Sequence, residues 1–185
     1  TCSSWPATVY GCPMGTWDVS RVQDMNRLFS ALRNEHVKWF NEDISKWNVS
    51  SVKTMERMFS RASLFNANLS QWDVSSITNM RGMFNNALEF NADISNWDVS
   101  RVISMEAMFQ HALSFDRDLS LWDISAVEDM ANMFYNTSLF NADISHWNVS
   151  GVLYTRSMFE FTRSFNQDLS GWDVSSVSDM GWMFY

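Results

Sequence analysis

The sequence has few glycines and prolines, few basic residues and no long apolar run. Its 185 residues include only 6 Gly and 2 Pro, which argues against a collagen-like or disordered chain. No apolar run approaches the roughly 18–20 residues that cross a bilayer, so we expect no membrane span. The formal net charge is −8, and phosphate binding needs a basic face, so we expect no nucleic-acid partner. Hydrophobic residues still make up 46% of the chain, enough for a core.

The chain has instead a strong internal repeat. The stretch 94–100, Ile-Ser-Asn-Trp-Asp-Val-Ser, recurs with little change, and from Trp47 onward a tryptophan returns every 25 residues. A fixed period of roughly 20–50 residues is typical of a solenoid or array. One short strand and one short helix per repeat could not bury their apolar faces alone, whereas stacked neighbours could.

The repeat unit predicts the fold class. Trp47 and Val49 alternate with polar residues, which indicates a strand with one buried face. Met55, Met58 and the apolar residues after them then follow helical spacing. The residue before the first Met of each repeat is usually a good N-cap, which supports a helix start there. We therefore predict an α/β, right-handed leucine-rich-repeat-like solenoid, with short parallel strands on one face and short helices on the other.

The predicted organisation is an N-terminal cap, residues 1–16, and a single solenoid of seven repeats, residues 17–185. The first repeat carries five extra residues between Phe29 and Phe40, which we expect to form a surface loop. Trp39 in this insertion is expected to cover the first core layer; a contact role is the alternative. The chain starts without Met and stops within a repeat, so we expect it to be a piece of a longer protein. The repeats are residues 17–46, 47–71, 72–96, 97–121, 122–146, 147–171 and the incomplete 172–185.

Two features suggest an extracellular setting. Cys2 and Cys12 are the only cysteines and lie close together before the first repeat, which favours a disulfide and an oxidising compartment; two free thiols are the alternative. Asn-x-Ser/Thr sequons make the chain a possible glycoprotein, although a repeat rich in Asn and Ser also generates them by chance. The possible N-glycosylation sites are Asn48, Asn68, Asn136 and Asn148.

The unit F-N-x-D-[IL]-S-x-W-[DN]-[VI]-S-x-V-x-x-M-x-x-M-F-x-x-A over residues 17–185 resembles the repeat of BspA-type leucine-rich-repeat surface proteins, specifically the group described in mycoplasma lipoproteins. The resemblance implies a secreted or cell-surface protein for which adhesion is often proposed, and it brings no catalytic residues. The chain departs from the unit at the insertion and at Tyr154-Thr155, where a Met is lost and local irregularity is expected.

Several repeated columns favour packing over chemistry. The Met-x-x-Met pairs could bind Cu(I), but core packing is the preferred interpretation. The Trp column is interpreted as a buried ladder rather than a sugar-stacking platform. Two polar columns, which begin at Asn41 and Asp43, are expected to satisfy backbone groups of the turns, between adjacent coils and through Asx-turns respectively. The histidines occupy unrelated columns, and no catalytic triad or phosphate loop recurs, so we predict a non-enzymatic protein.

The candidate binding residues lie on either side of each Trp. Like charges about 5 Å apart in one column would cost roughly 1 kcal/mol per pair. We expect local hydrogen bonds to relieve this repulsion, with Ca²⁺ at Asp73, Asp98 and Asp123 as the alternative and no other cofactor. The column before each Trp is variable, which is where a partner could be recognised, or simply unconstrained surface. The candidate residues are Lys46, Gln71, Asp73, Asn96, Asp98, Leu121, Asp123, His146 and Asp173.

These expectations add up to an extracellular or cell-surface repeat module that acts as an adhesion scaffold for protein or glycan through its strand face. Many weak contacts on a rigid array would supply avidity. The alternative is a structural segment of an extracellular fibre or cell-wall coat, in which the partners are copies of the chain itself.

Overall fold

The computed structural model describes residues 13–185, in which each 25-residue repeat forms one coil of a parallel stack. One bridging residue per coil sets the register. Asp24 pairs with Thr54, Thr54 with Asn79 and Asn79 with Ser104, and the series continues to Asp179. Equivalent residues of successive repeats therefore lie side by side along the stack.

Each coil is a chain of tight four-residue turns with apolar residues at both ends. In the coil that starts at Ile44, the N–H of Trp47 donates to the Ile44 carbonyl at 3.1 Å, and that of Val52 donates to Val49 at 2.9 Å. The first and last residues of these turns are buried, and the residues between them lie nearer to solvent. The further turns of this coil close between Met55 and Met58, Phe59 and Ala62, and Ala62 and Phe65.

The predicted helices are wrong. Backbone φ is +54° at Arg57 and +63° at Arg61, whereas an α-helix of L-residues has negative φ throughout. Each of these residues is the third of a four-residue turn, the place where a type II turn requires positive φ. Successive turns return an apolar residue every three or four positions, as a helix does, so the two backbones share one periodicity. Within residues 13–185 the only helices are two 3₁₀ helices, Met14–Thr16 and Glu35–Trp39.

The predicted parallel strands are also wrong, since residues 13–185 contain isolated bridges and no strand. Trp47 and Val49 are buried and Asn48 between them is exposed, as the alternation requires. However, turns close directly before and after this segment, so it cannot continue as a strand. The coils meet instead at Thr54, where a helix was expected to start. The α/β leucine-rich-repeat-like solenoid is therefore corrected to a stack of coils built from turns.

Alternate backbone amides hold neighbouring coils together. The N–H of Arg57 donates to the Arg81 carbonyl at 2.8 Å, and that of Phe59 donates to Met83 at 2.9 Å. The amides between them close the turns of their own coil. The two sets of hydrogen bonds together satisfy the backbone N–H groups of the buried segment, as burial requires, without a helix or a sheet.

The expected cap bond before each Met-x-x-Met pair forms without a helix. Asn79 Oδ1 accepts the N–H of Arg81 at 2.9 Å, and Asp129 Oδ1 accepts that of Ala131 at 3.0 Å. A helix N-cap and an Asx-turn both make this bond to the amide two residues on. The residue type therefore predicted the hydrogen bond correctly but not the conformation that follows it.

Phenylalanine rings stack through the core along the whole series of coils. Phe84 and Phe90 lie 3.7 Å apart between ring centroids within one coil, and Phe84 lies 5.8 Å from Phe109 of the next. Met80 and Met83 are fully buried beside this stack. The interpretation of the Met-x-x-Met pairs as core residues is confirmed.

A ladder of tryptophans forms a second line of packing. Trp97 is 3% exposed, and its indole N–H donates to the Leu69 carbonyl of the preceding coil at 3.1 Å. Trp72 and Trp122 are buried equally well and make the equivalent bond. The prediction of a buried ladder is confirmed, and the indole N–H is satisfied by backbone, as buried tryptophan requires.

Asparagine side chains also link the coils. The N–H of Asn66 donates to Asn41 Oδ1 at 2.9 Å, and the N–H of Asn91 donates to Asn66 Oδ1 at the same distance. The bond recurs through the later repeats, with Asp116 in place of one Asn. The expectation that this column satisfies backbone between adjacent coils is confirmed.

The expected irregularity at Tyr154-Thr155 is wrong. The N–H of Thr155 donates to the Asp179 carbonyl of the next coil at 2.9 Å, and the N–H of Met158 closes the usual turn at 3.1 Å. Thr155 is buried, and its hydroxyl lies 3.5 Å from the Asp179 carbonyl. Threonine keeps the turn because the backbone bonds do not depend on the lost Met side chain.

Candidate binding face

The face that carries the predicted binding residues is the surface on either side of the buried tryptophans. We call it the Asx face. Every one of these side chains is exposed, because the turn that buries each Trp presents its two neighbours to solvent. The Asx face comprises positions 46 and 48, 71 and 73, 96 and 98, 121 and 123, 146 and 148, and 171 and 173.

Asx-turns fix the acidic column of this face. Asp98 Oδ1 accepts the N–H of Ser100 at 3.1 Å and its hydroxyl at 2.6 Å. Asp73 Oδ1 accepts the same pair of bonds from Ser75 at 3.1 and 2.6 Å. Both bonds reach one oxygen of each carboxylate, and the other oxygen has no hydrogen-bond partner among residues 13–185. Each side chain is therefore held in place while half of its acceptor capacity faces solvent.

Serine hydrogen bonds favour the charged form of two carboxylates in this column, Asp73 and Asp123. The hydroxyl of Ser75, and then its backbone N–H, lower the pKa of Asp73 below its ordinary value, with slight burial opposing the shift. The Ser125 hydroxyl and N–H do the same to the pKa of Asp123. Hydrogen bonds to the charged form of a carboxylate favour that form. Asp73 and Asp123 are therefore anionic at neutral pH.

A shallow groove of about 270 Å³ crosses the middle of the Asx face. It brings together four of the predicted residues from two adjacent coils: Asn96, Asp98, Leu121 and Asp123. Leu121 is 71% exposed, so its aliphatic side chain is accessible to a partner. The groove thus combines one exposed aliphatic side chain with two carboxylates held by Asx-turns and an amide.

The remaining predicted residues lie on the same face but outside this groove. The Gln71 amide lies 3.4 Å from the Ser70 hydroxyl, and His146 Nε2 lies 2.7 Å from the Ser120 carbonyl of the preceding coil. Asp173 accepts the N–H of Ser175 at 3.0 Å. Lys46 is exposed, and its charge is the smallest of the influences that lower the pKa of Asp43. These residues extend the face along the stack.

No group of three or more His, Cys, Asp or Glu side chains within residues 13–185 is arranged to hold a metal ion. Asp73 and Asp98 accept serine bonds, which is the local relief of charge that we expected for this column. Likewise, no helix in the described part of the chain is long and apolar enough to cross a membrane.

The four sequons differ in their surroundings. Asn48, Asn68 and Asn148 are exposed, and each uses its side-chain oxygen to accept the N–H of the following Ser. Asn136 is half-buried, and its amide nitrogen lies 2.9 Å from His111 Nδ1. A glycan on Asn136 would replace that contact. The predicted disulfide between Cys2 and Cys12 lies outside the described residues.

The sequence interpretation missed a second surface at the insertion. Trp39 is 62% exposed, so the expectation that it covers the first core layer is wrong. It lines a cleft of about 870 Å³ together with Arg33, Lys38 and Arg61. The available signal was the insertion itself, since extra residues in a repeat bulge from one face. Arg61 belongs to the next repeat, and its proximity could not be deduced without the turn geometry.

The repeats match a known protein family. The family described as "Mycoplasma protein of unknown function, DUF285" matches residues 7–122 and matches again over residues 114–185. Among curated proteins the chain has no match. The two matches overlap and together span all of the repeats.

Proposed function

From the premise that the chain belongs to the DUF285 family, we propose that it is a non-enzymatic binding module of the extracellular or cell-surface kind, which holds a protein or glycan on its Asx face. The repeat resemblance to BspA-type surface proteins supports the surface location and the adhesive role. The assignment to a repeat-like mycoplasma family is consistent with it at a coarser level. The family itself has no assigned activity.

The observation that carries the proposal is the groove between two coils of the Asx face. Leu121, which is 71% exposed, lies there with Asp98 and Asp123. Removing this leucine from water would contribute up to about 2 kcal/mol to binding. The fixed carboxylates would orient donors of the partner, because Asx-turns hold them before the partner arrives.

The repeat supplies the affinity that one shallow groove lacks. Equivalent positions recur at every coil, so a partner with repeated units could contact several coils at once. Linked contacts convert later binding events into intramolecular ones and raise the overall affinity without a deep pocket. The variable column, with Lys46, Gln71, Asn96, Leu121 and His146, would set which partner is recognised.

The test is a binding screen against arrayed glycans and extracellular-matrix proteins with the described chain and two variants. Leu121→Asp should weaken binding to the selected partner at least tenfold, since it places a third charge in an acidic groove. Leu139→Asp is the matched control, because Leu139 is 55% exposed but lies outside the Asx face. Equal loss in both variants, or in neither, would contradict the proposed face.

A structural role in a fibre or coat is the second candidate. The ladder in which Asn66 bonds to Asn41 and Asn91 bonds to Asn66 is supporting geometry, because it repeats without interruption along the stack. Such uniform stacking suits a protein whose repeats set length. A regular lateral or end-to-end contact between chains in electron micrographs would favour this role over adhesion.

A further inference from the structure

The insertion in the first repeat builds a cleft on a different surface from the Asx face. The 3₁₀ helix Glu35–Trp39 starts at Asn34, whose side chain accepts the N–H of His36 at 3.1 Å. This segment lines an open cleft of about 870 Å³ together with side chains of the next two coils, Arg61 and Asn86. Binding pockets for small ligands typically measure about 300–1,000 Å³, so the cleft could hold more than one sugar ring.

The cleft concentrates positive charge in an acidic chain. Arg33, Lys38 and Arg61 line it, are exposed, and have no ion-pair partner within residues 13–185. Glu35 is the one acidic side chain in the lining. Arg81, by contrast, is paired with Glu106 at 2.9 Å. Two net positive charges are thus held in a chain whose formal net charge is −8.

The cleft also offers a flat aromatic surface. Trp39 is 62% exposed, and the Lys38 ammonium lies 4.9 Å from the centroid of its ring. A solvent-exposed indole beside cations is an arrangement enriched where proteins bind partners. The amide nitrogen of Asn34 has no hydrogen-bond partner among the described residues, and neither has the amide oxygen of Asn86. Hydroxyl groups could therefore both accept and donate here.

We propose that this cleft binds an acidic glycan, a chain of uronic-acid sugars. Arg33 and Arg61 would hold the carboxylates, because the guanidinium fork matches carboxylate geometry. The Trp39 indole would pack against the apolar face of a sugar ring, and the two amides would bind its hydroxyls. A uronic-acid chain carries carboxylates, apolar ring faces and hydroxyls on every unit, whereas the side chains of a polyglutamate peptide supply carboxylates alone. The proposal does not depend on the Asx face or on its partner.

The test titrates a hexamer of galacturonic acid into the described chain and its variants by calorimetry. Trp39→Ala and Arg61→Asn should each weaken binding at least tenfold. Asparagine is the matched replacement at position 61, since Asn86 and Asn136 hold the same left-handed turn position with φ of +57° and +52°. Arg101→Gln removes an exposed charge outside the cleft and should leave the affinity within twofold. All of the substituted residues lie at the surface, so the variants should melt at the same temperature as the parent protein.

Two comparisons separate glycan binding in the cleft from binding at the Asx face and from simple charge attraction. Leu121→Asp should leave hexagalacturonate binding unchanged, even where it abolishes binding of a partner to the Asx face. A peptide of six glutamates should bind at least tenfold more weakly than the glycan. Tight binding of that peptide, equal glycan binding by Trp39→Ala and the parent, or no glycan binding at all would overturn the proposal.

Discussion

Replacing Ala107 with glycine distinguishes a coil of turns from the helix that the periodicity predicts, because the two give opposite signs. Ala107 has φ of +55°, and the equivalent residue one coil earlier is Gly82 with φ of +57°. The left-handed conformation costs an L-residue roughly 1–2 kcal/mol, which glycine does not incur. Glycine loses about 0.4–1 kcal/mol through its freer unfolded chain. The net expectation is stabilisation by about 0.5–1 kcal/mol.

A helix would respond in the other direction. Glycine in a helix interior is about 1 kcal/mol less favourable than alanine. Ala112→Gly is the control, since Ala112 is fully buried in the same coil and does not have a positive φ. It should cost about 1–2 kcal/mol, from a lost methyl and a freer unfolded chain. Urea denaturation at constant slope measures both changes. If Ala107→Gly destabilised as Ala112→Gly does, the turn backbone would be refuted.

Three further perturbations have signs that the structure determines. Trp97→Ala should lower the free energy of unfolding by roughly 3–5 kcal/mol because it leaves a cavity, and the loss of the hydrogen bond to the Leu69 carbonyl should add to this cost. Trp97→Phe should cost clearly less, and equal losses for the two variants would count against the packed ladder. Burial lowers the pKa of His111, so the unfolded chain binds more protons than the folded chain just below pH 6.5, and stability should fall as the pH drops through 6.5. His111→Gln should reduce the slope of stability against pH, and an unchanged slope would contradict the burial effect. The pKa of Asp73 is lowered by Ser75, so its contribution should be present above 3.8 and lost as pH falls further, and a chelator should not shift the melting temperature; a shift would instead indicate bound Ca²⁺.

The core and its register could be predicted from the sequence, because burial follows periodicity in any backbone that returns a residue to the same side. Trp97 and Met80 are buried as predicted, and Asp98 is exposed. The hydrogen bond of Asn66 to the neighbouring coil was also predictable, since a polar residue repeated beside a buried one needs a partner. These inferences need the order of side chains and not the path between them.

The backbone path could not be predicted in the same way. A helix and a series of type II turns both return apolar residues after three and four positions, and the usual marker of positive φ, glycine, is present in only one of the repeats at this position, as Gly82. Arg57 and Ala107 occupy the same position without any such signal. The bonds between coils, such as that of Arg57 to Arg81, hold these residues in a conformation that local preference disfavours. Tertiary contacts decided the backbone here.

The candidate site was also only partly predictable from the sequence. The exposed columns of the Asx face were predictable, because they flank buried tryptophans at fixed offsets. The grouping of Asn96 with Leu121 was not, since it depends on how closely two coils stack. The insertion cleft could not be predicted either, because it brings together Trp39 of one repeat and Arg61 of the next.

A binding role for the Asx face is tested most directly by a hydroxyl-radical footprint of the protein with and without the partner selected on the array. Leu121, Trp39 and Phe184 are all exposed side chains whose oxidation reports separately on the Asx face, the insertion cleft and the last coil. If the Asx face binds the partner, Leu121 should be protected and the oxidation of the other two side chains should be unchanged. Protection of Phe184 alone, with Leu121 still oxidised, would contradict a binding role for the Asx face.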